Sequence, residues 1–229
     1  MPTKINSIIV IDIESGGLSP IKNPITQIAY EAFQLDDYEM LGENSMYVKP
    51  YNNLILKTKA LEVTGITPQK LEKEGVDIKT ALKKLCEDFQ TFNTSGSAKK
   101  KPILVGHNIG FDIGFIMYAF NYCKMDISKY LDCNEDMYGN PVPKYIDTLG
   151  LAKSSWGASK EEIKYNLTAC TKKAGLEQFE AHSALSDVRA TTGLFLYFIE
   201  MLRENPDIDP NAMKSNVTRE NTVRKHFQF

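Results

Sequence analysis

A chain of 229 residues with 42% hydrophobic and 24% charged side chains fits a soluble globular protein that buries one substantial core. Its formal net charge of -2 supplies no global positive field of the histone kind, so any polyanion has to be attracted locally. The four cysteines, Cys86, Cys123, Cys133 and Cys170, stand far apart with no C-x-x-C pair, which argues against a zinc or redox centre and for free thiols in a reducing compartment.

The opening MPTKINSIIVID has a short apolar run ending in an acidic residue, the pattern of a strand and not of a signal peptide. No stretch approaches the roughly 18 apolar residues of a membrane span. A cytoplasmic protein without a membrane partner is expected. Ser7 to Ile13 reads as a buried strand running into the turn Ser15-Gly16-Gly17. Pro24 to Leu35 and Leu41 to Val48 follow as two more strands, and the short connections suggest an antiparallel meander.

Between Asp77 and Phe92 the apolar residues Ile78, Ala81, Leu82, Leu85 and Phe89 recur at helical spacing, with Asp77 as N-cap. Asn93 to Lys101 is a polar loop whose Lys99, Lys100 and Lys101, like Lys172 and Lys173 later, read as solvated surface. Ile103 to Val105 is a short buried strand, Phe111 to Cys123 a helix, and Lys144 to Ile146 an edge strand. The single Trp156 falls in a loop and reads as packing. Leu167 to Ala174 is a short helix closed by Gly175, and Ser183 to Leu202 is the clearest helix of the chain. Strands first, then strand and helix in alternation, predict an α/β fold with a mixed sheet of about five strands covered on both faces. Residues 1–204 form the expected main domain, and 205–229 a tail that is flexible or docks.

Three segments carry chemistry. Asp12 and Glu14 end the first strand two residues apart, so the strand's period of two projects both carboxylates from one face. Alone, such a pair also suits an exposed strand end above a glycine turn. Val105 to Asp112 runs from strand into helix and places His107, Asn108 and Phe111 beside Asp112. An acidic residue in a first turn is favoured by the helix dipole, but polar groups and an aromatic at a strand's carboxyl end also suit a ligand crevice. In His182-Ser183-Ala184-Leu185-Ser186-Asp187, the two ends would lie about 500° apart on one helix, so His182 must precede the helix to meet Asp187. Asp187 shares a stripe with Thr191, Leu194 and Phe198, and an inward carboxylate needs a partner or a metal.

Taken together, these segments resemble the DEDDh exonucleases, a DnaQ-like family of RNase H-like fold that includes bacterial proofreading subunits, ribonuclease T and oligoribonuclease. The likeness covers roughly residues 7–203. Its motifs are D-x-E at Asp12-Ile13-Glu14, N-x-x-F-D at Asn108 to Asp112, and H-x-x-x-x-D at His182 to Asp187. Val63 to Thr67 looks like the family's segment between the third strand and the first helix, which lines the pocket for the terminal nucleotide. One departure is Gln27, where many members carry an acidic residue.

The resemblance implies catalysis by Asp12, Glu14, Asp112, His182 and Asp187. Four converging carboxylates repel unless cations neutralise them, and hard oxygen ligands select two Mg²⁺ (or Mn²⁺) ions. Asp12 would bridge both ions, Glu14 and Asp187 would hold the nucleophile side, and Asp112 would support the leaving-group side through water. His182, with an ordinary pKa near 6.5, would take the proton of the attacking water. Ile13, Ser15 and Gly16 would offer backbone to the scissile phosphate, Ile66 and Phe111 would sandwich terminal bases, and Thr64, His107 and Asn108 complete the expected substrate contacts. The implied activity is 3′-to-5′ exonuclease cleavage of single-stranded DNA, releasing nucleoside 5′-monophosphates. The alternatives are RNA trimming of the ribonuclease T or oligoribonuclease kind and a catalytically silent nucleic-acid-binding module. Implied partners are a nucleic acid with a free 3′ end, a polymerase or other replication protein, and a second copy in a homodimer.

Overall fold

The computed structural model describes residues 7–93, 101–157, 164–176 and 183–204. The chain begins with a meander of β1 (Ile8–Ser15), β2 (Ile25–Phe33) and β3 (Met40–Tyr47), then α1 (Thr58–Thr64), α2 (Pro68–Glu74) and α3 (Ile78–Thr91). It continues through β4 (Ile103–Gly106), α4 (Gly110–Tyr122), a small hairpin of β5 (Cys133–Glu135) and β6 (Pro141–Pro143), and β7 (Tyr145–Asp147). Three helices close it: α5 (Thr148–Trp156), α6 (Leu167–Lys173) and α7 (Ala184–Glu204). The main sheet has the order β3-β2-β1-β4-β7, with β1 antiparallel to β2 and parallel to β4.

Alternation along β1 assigns each side chain to a layer. Ile9, Ile11 and Ile13 point to one face, where they pack with Leu85 and Phe89 of α3 and Phe115 and Phe120 of α4. Ile8 and Val10 point to the other, against Leu194, Phe195 and Phe198 of α7. The mixed five-stranded sheet is therefore covered on both faces, as the sequence predicts. Burying each such aromatic contributes about 1.5–3 kcal/mol, which is why α7 stays on the sheet although its outer face is polar. Asp77 caps α3 as expected, its Oδ1 accepting from the Thr80 N–H at 3.0 Å.

The structure departs from the sequence reading in several places. β1 runs on to Ser15, two residues past the Ile13 boundary read from the sequence. Two helices, α1 and α2, precede the helix read as the first; α1 buries none of its side chains and α2 only Leu71, so neither carries an apolar stripe. Trp156 closes a helix, where the sequence suggests a loop, and packs its ring 5.2 Å from that of Phe198. The β5–β6 hairpin was hidden by Pro141 and Pro143, tolerated because both strands are edges. His182, Lys99, Lys100 and the tail 205–229 lie outside the described residues. No helix among the described residues is long and apolar enough to cross a membrane.

Candidate active site

Asp12 and Glu14 have the same parity as Ile8 and Val10, so they leave β1 on the α7 side of the sheet. The first turn of α7 carries Asp187 to meet them. Carboxylate oxygens of Asp12, Glu14 and Asp187 lie within 4.8 Å of one another. Asp112 arrives from the opposite layer. It sits in the first turn of α4, buried to 5% exposure, and its Oδ1 accepts the Ile13 N–H at 3.0 Å. Parallel pairing of β4 with β1, Val105 beside Val10, brings the start of α4 to the end of β1. The sheet end thus gathers acidic groups from both helical layers.

The consequence is electrostatic. Burial first, and then the charges of Asp112, Glu14 and Asp187, hold the Asp12 carboxyl well above the usual carboxylate range. Burial and Asp187 raise Glu14 to about 7. Burial raises Asp112 to about 8; the Ile13 N–H works against that shift, while Asp147 and Glu14 add to it. Such groups hold protons at neutral pH unless a cation replaces them. An all-oxygen set of three close carboxylates, with no thiolate or imidazole among the described residues, fits a hard divalent cation of the Mg²⁺ or Mn²⁺ kind.

The turn that aims Asp112 is tightly built. A Cβ on Gly106 would come within 2.8 Å of Ile109. Asn108 adopts a left-handed φ of 60°, which asparagine tolerates better than most residues. Its N–H donates to Asp147 Oδ1 at 2.8 Å, and the same oxygen caps α5 through the Leu149 N–H at 2.9 Å. Next to Asp147, the Thr148 hydroxyl donates to the Gly106 carbonyl at 3.2 Å. The sequence expectation, an edge strand from Lys144 to Ile146, left Asp147 just beyond it without this role. An Asp followed by a helical run was the available signal.

The expected substrate residues divide. His107 has one ring nitrogen 2.9 Å from Thr148 Oγ1 and the other 2.8 Å from the Tyr165 carbonyl, so both are engaged within the protein. Burial lowers its pKa against that carbonyl contact. The Ile13 N–H is taken by Asp112, and the Gly16 N–H donates to the Pro24 carbonyl at 2.8 Å. Gly16 sits in a close turn, where a Cβ would lie 2.8 Å from the end of the Leu56 side chain and 3.0 Å from Pro24 Cδ. Ser15 Oγ donates to the Gly17 carbonyl at 2.6 Å. Ile66 is 4% exposed, with its N–H 3.2 Å from Thr64 Oγ1, so only its edge can meet a ligand. Phe111 is half-buried against Phe115, ring centroids 4.9 Å apart. Gln27, directly across from Glu14, donates to Ser45 Oγ at 2.9 Å. A residue the sequence reading passed over is Leu18, 80% exposed on the turn just after the acidic strand end.

Comparison with known proteins agrees with this geometry. The RNase_T family profile, described as Exonuclease, matches residues 9–195. The PolC-type DNA polymerase III of Thermotoga petrophila is 30% identical over 196 residues, covering 86% of this chain but 12% of the polymerase. Ribonuclease T of Marinobacter nauticus is 28% identical over 203 residues, covering 86% of this chain and 83% of that enzyme. Among solved structures, E. coli exonuclease I in complex with a dA16 oligonucleotide superposes with a TM-score of 0.68 at 19% identity, covering 96% of this chain and 45% of that one. That likeness concerns the fold, and the chain spans under half of exonuclease I. With the family profile spanning most of the chain and the acidic cluster in place, the chain belongs to the RNase_T exonuclease family, in the DnaQ-like DEDDh group of the RNase H-like superfamily.

Proposed function

We propose that the protein removes nucleotides one at a time from the 3′ end of a single strand, DNA first among substrates, releasing nucleoside 5′-monophosphates. The observation that carries this reading is the meeting of Asp12, Glu14 and Asp187 within 4.8 Å, with Asp112 hydrogen-bonded to the strand between the first two. Asp12, Glu14, Asp187 and Asp112 would hold two Mg²⁺ or Mn²⁺ ions, which would neutralise the carboxylates and polarise the phosphate. Glu14 and Asp187 would serve the side of the attacking water. Asp112 lies outside the close trio, which suits a supporting role through water on the leaving-group side. His182, five residues before Asp187, takes the proton of the attacking water. Leu18, Phe111 and the Ile66 edge offer apolar contacts to terminal bases, and such contacts tolerate any sequence.

The PolC-type and exonuclease I likenesses support DNA and a replication partner. The ribonuclease T match, which covers most of that enzyme's length, favours RNA trimming as the second reading. Four free thiols suit a reducing, cytoplasmic setting. The test is a time course on 5′-labelled and 3′-labelled oligonucleotides, as DNA and as RNA, with Mg²⁺, with Mn²⁺ and with EDTA, beside Asp12→Ala. A metal-dependent ladder from the 5′ label with immediate mononucleotide release from the 3′ label is expected. Internal cleavage first, or activity surviving in Asp12→Ala, would overturn the reading.

A further inference from the structure

Even when cations neutralise the carboxylate cluster it meets only the end of a strand, so a positive surface nearby would add affinity for the rest. Register across the meander locates one. Glu14 pairs with Gln27, which pairs with Tyr47, so the end of β3 lies two strand spacings, about 10 Å, from the acidic site at the same end of the sheet. Just beyond Tyr47 opens a cleft of about 590 Å³, lined by Lys49, Tyr51, Asp77, Lys79, Tyr122 and Lys124. The rings of Tyr51 and Tyr122 lie 5.4 Å apart at 35°, and Tyr122 is 44% exposed. Asp77 is committed to capping α3, and Lys49 also pairs with Glu72 at 3.4 Å. Lys79 and Lys124 are exposed.

Two segments run from this cleft to the site. One is the segment after Lys49, whose Ile55 N–H donates to the Lys22 carbonyl and whose Lys57 N–H donates to the Gly16 carbonyl, both at 2.8 Å. The other is α4, which starts beside Asp112 and ends at Tyr122. Asn52 on the first donates to the Tyr118 hydroxyl on the second at 2.9 Å. From Asp112 to Tyr122 the helix rises about 15 Å. A stacked strand covers that in about four or five nucleotides at roughly 3.4 Å each.

We propose that this lysine and tyrosine cleft binds the single strand four or five nucleotides upstream of the 3′ end being cleaved. Lysines neutralise the phosphates there, and the exposed Tyr122 face stacks a base, a combination that holds single strands without regard to sequence. The proposal rests on the exonuclease reading for the position of the 3′ end. It separates recruitment from chemistry: a cationic cleft captures the strand, and an anionic site cuts it.

The test is Lys79→Gln with Lys124→Gln, assayed against DNA and RNA strands of two, three, six and ten nucleotides. For strands of six or more, KM should rise about tenfold while kcat holds, and the log-log salt slope should flatten by roughly 1.4 for two lost contacts. Hydrolysis of the dinucleotide should not change. Equal KM values for variant and wild type on the ten-nucleotide strand would overturn the cleft proposal while leaving the exonuclease reading intact. Binding of a labelled ten-nucleotide strand in EDTA, followed by fluorescence anisotropy, keeps the two apart. Weaker binding by the variant supports the cleft even if no cleavage is seen, and unchanged binding overturns it even if cleavage is robust. Tyr122→Ala should weaken the same long strands and spare the dinucleotide; Tyr122→Phe should restore them.

Discussion

Two groups of inward carboxylates in this molecule meet opposite fates. Asp88, on α3, accepts from the Tyr30 hydroxyl at 2.6 Å, from Lys84 Nζ at 2.7 Å and from Asn44 at 3.4 Å. Burial pushes its pKa up, but these bonds outweigh it and hold the group below its usual value. At the sheet end, Asp12, Glu14 and Asp112 are all displaced upward, because burial is joined by their neighbours' like charge. A carboxylate compensated by its own protein is structure. Carboxylates crowded on one another are built for a cation that the protein does not supply.

The sharpest way to break that contrast is Asp12→Ala. Removing the central carboxylate should cut kcat/KM by roughly 10³-fold or more while leaving the melting temperature in EDTA unchanged or raised. A fall in both would mean that Asp12 is structural in the sense of Asp88. His182→Ala should cost about 10²-fold in turnover and leave the Mg²⁺ concentration for half-maximal activity nearly unchanged. Wild-type turnover across neutral pH in that variant would remove the histidine from the mechanism.

Asp88→Ala should do the reverse of Asp12→Ala. It leaves the Tyr30 hydroxyl, buried at 0% exposure, with fewer partners, at a cost of about 1–3 kcal/mol. For a chain of this size each kcal/mol lowers the melting temperature by about 2–4 °C, while cleavage by the folded fraction persists.

A pH series sharpens the same point. Glu14 at about 7 and Asp112 at about 8 stand above their ordinary values of 4.5 and 3.8, so the folded state holds protons that the unfolded chain has released. Their contribution is favourable in acid and is lost as pH rises from the ordinary carboxylate range through about 8. In EDTA the melting temperature should therefore decline over that window, and Mg²⁺ should raise it more at pH 8 than at pH 5. An equal Mg²⁺ effect at both pH values would count against cation neutralisation. The smallest effect belongs to Arg189→Ala. Its paired bonds to both Glu43 oxygens at 3.0 Å tie α7 to β3 but are half-exposed, so about 1 kcal/mol or less is expected from thermal melts.

Much was legible in the sequence because it is written locally. The period of two put Asp12 and Glu14 on one face, the period of 3.6 marked α3 and α7, and Asp77 announced its own helix. The three motifs named the acidic residues and the family. Tertiary structure alone decided the rest. Asp112 and Ile13 are 99 residues apart in sequence, and only the parallel pairing of β4 with β1 brings them to 3.0 Å. That His107 spends both ring nitrogens on Thr148 and Tyr165, and that Ile13 and Gly16 spend their N–H groups internally, depends on chain segments no local pattern connects. The seven-residue α1 and α2 were invisible because together they bury a single side chain, Leu71, and so show no apolar stripe, whereas the equally short α6 was announced by its closing Gly175. Sequence determines which groups a chain has for chemistry and which face each leaves from; packing determines which of them find partners inside the protein and which are left to a ligand.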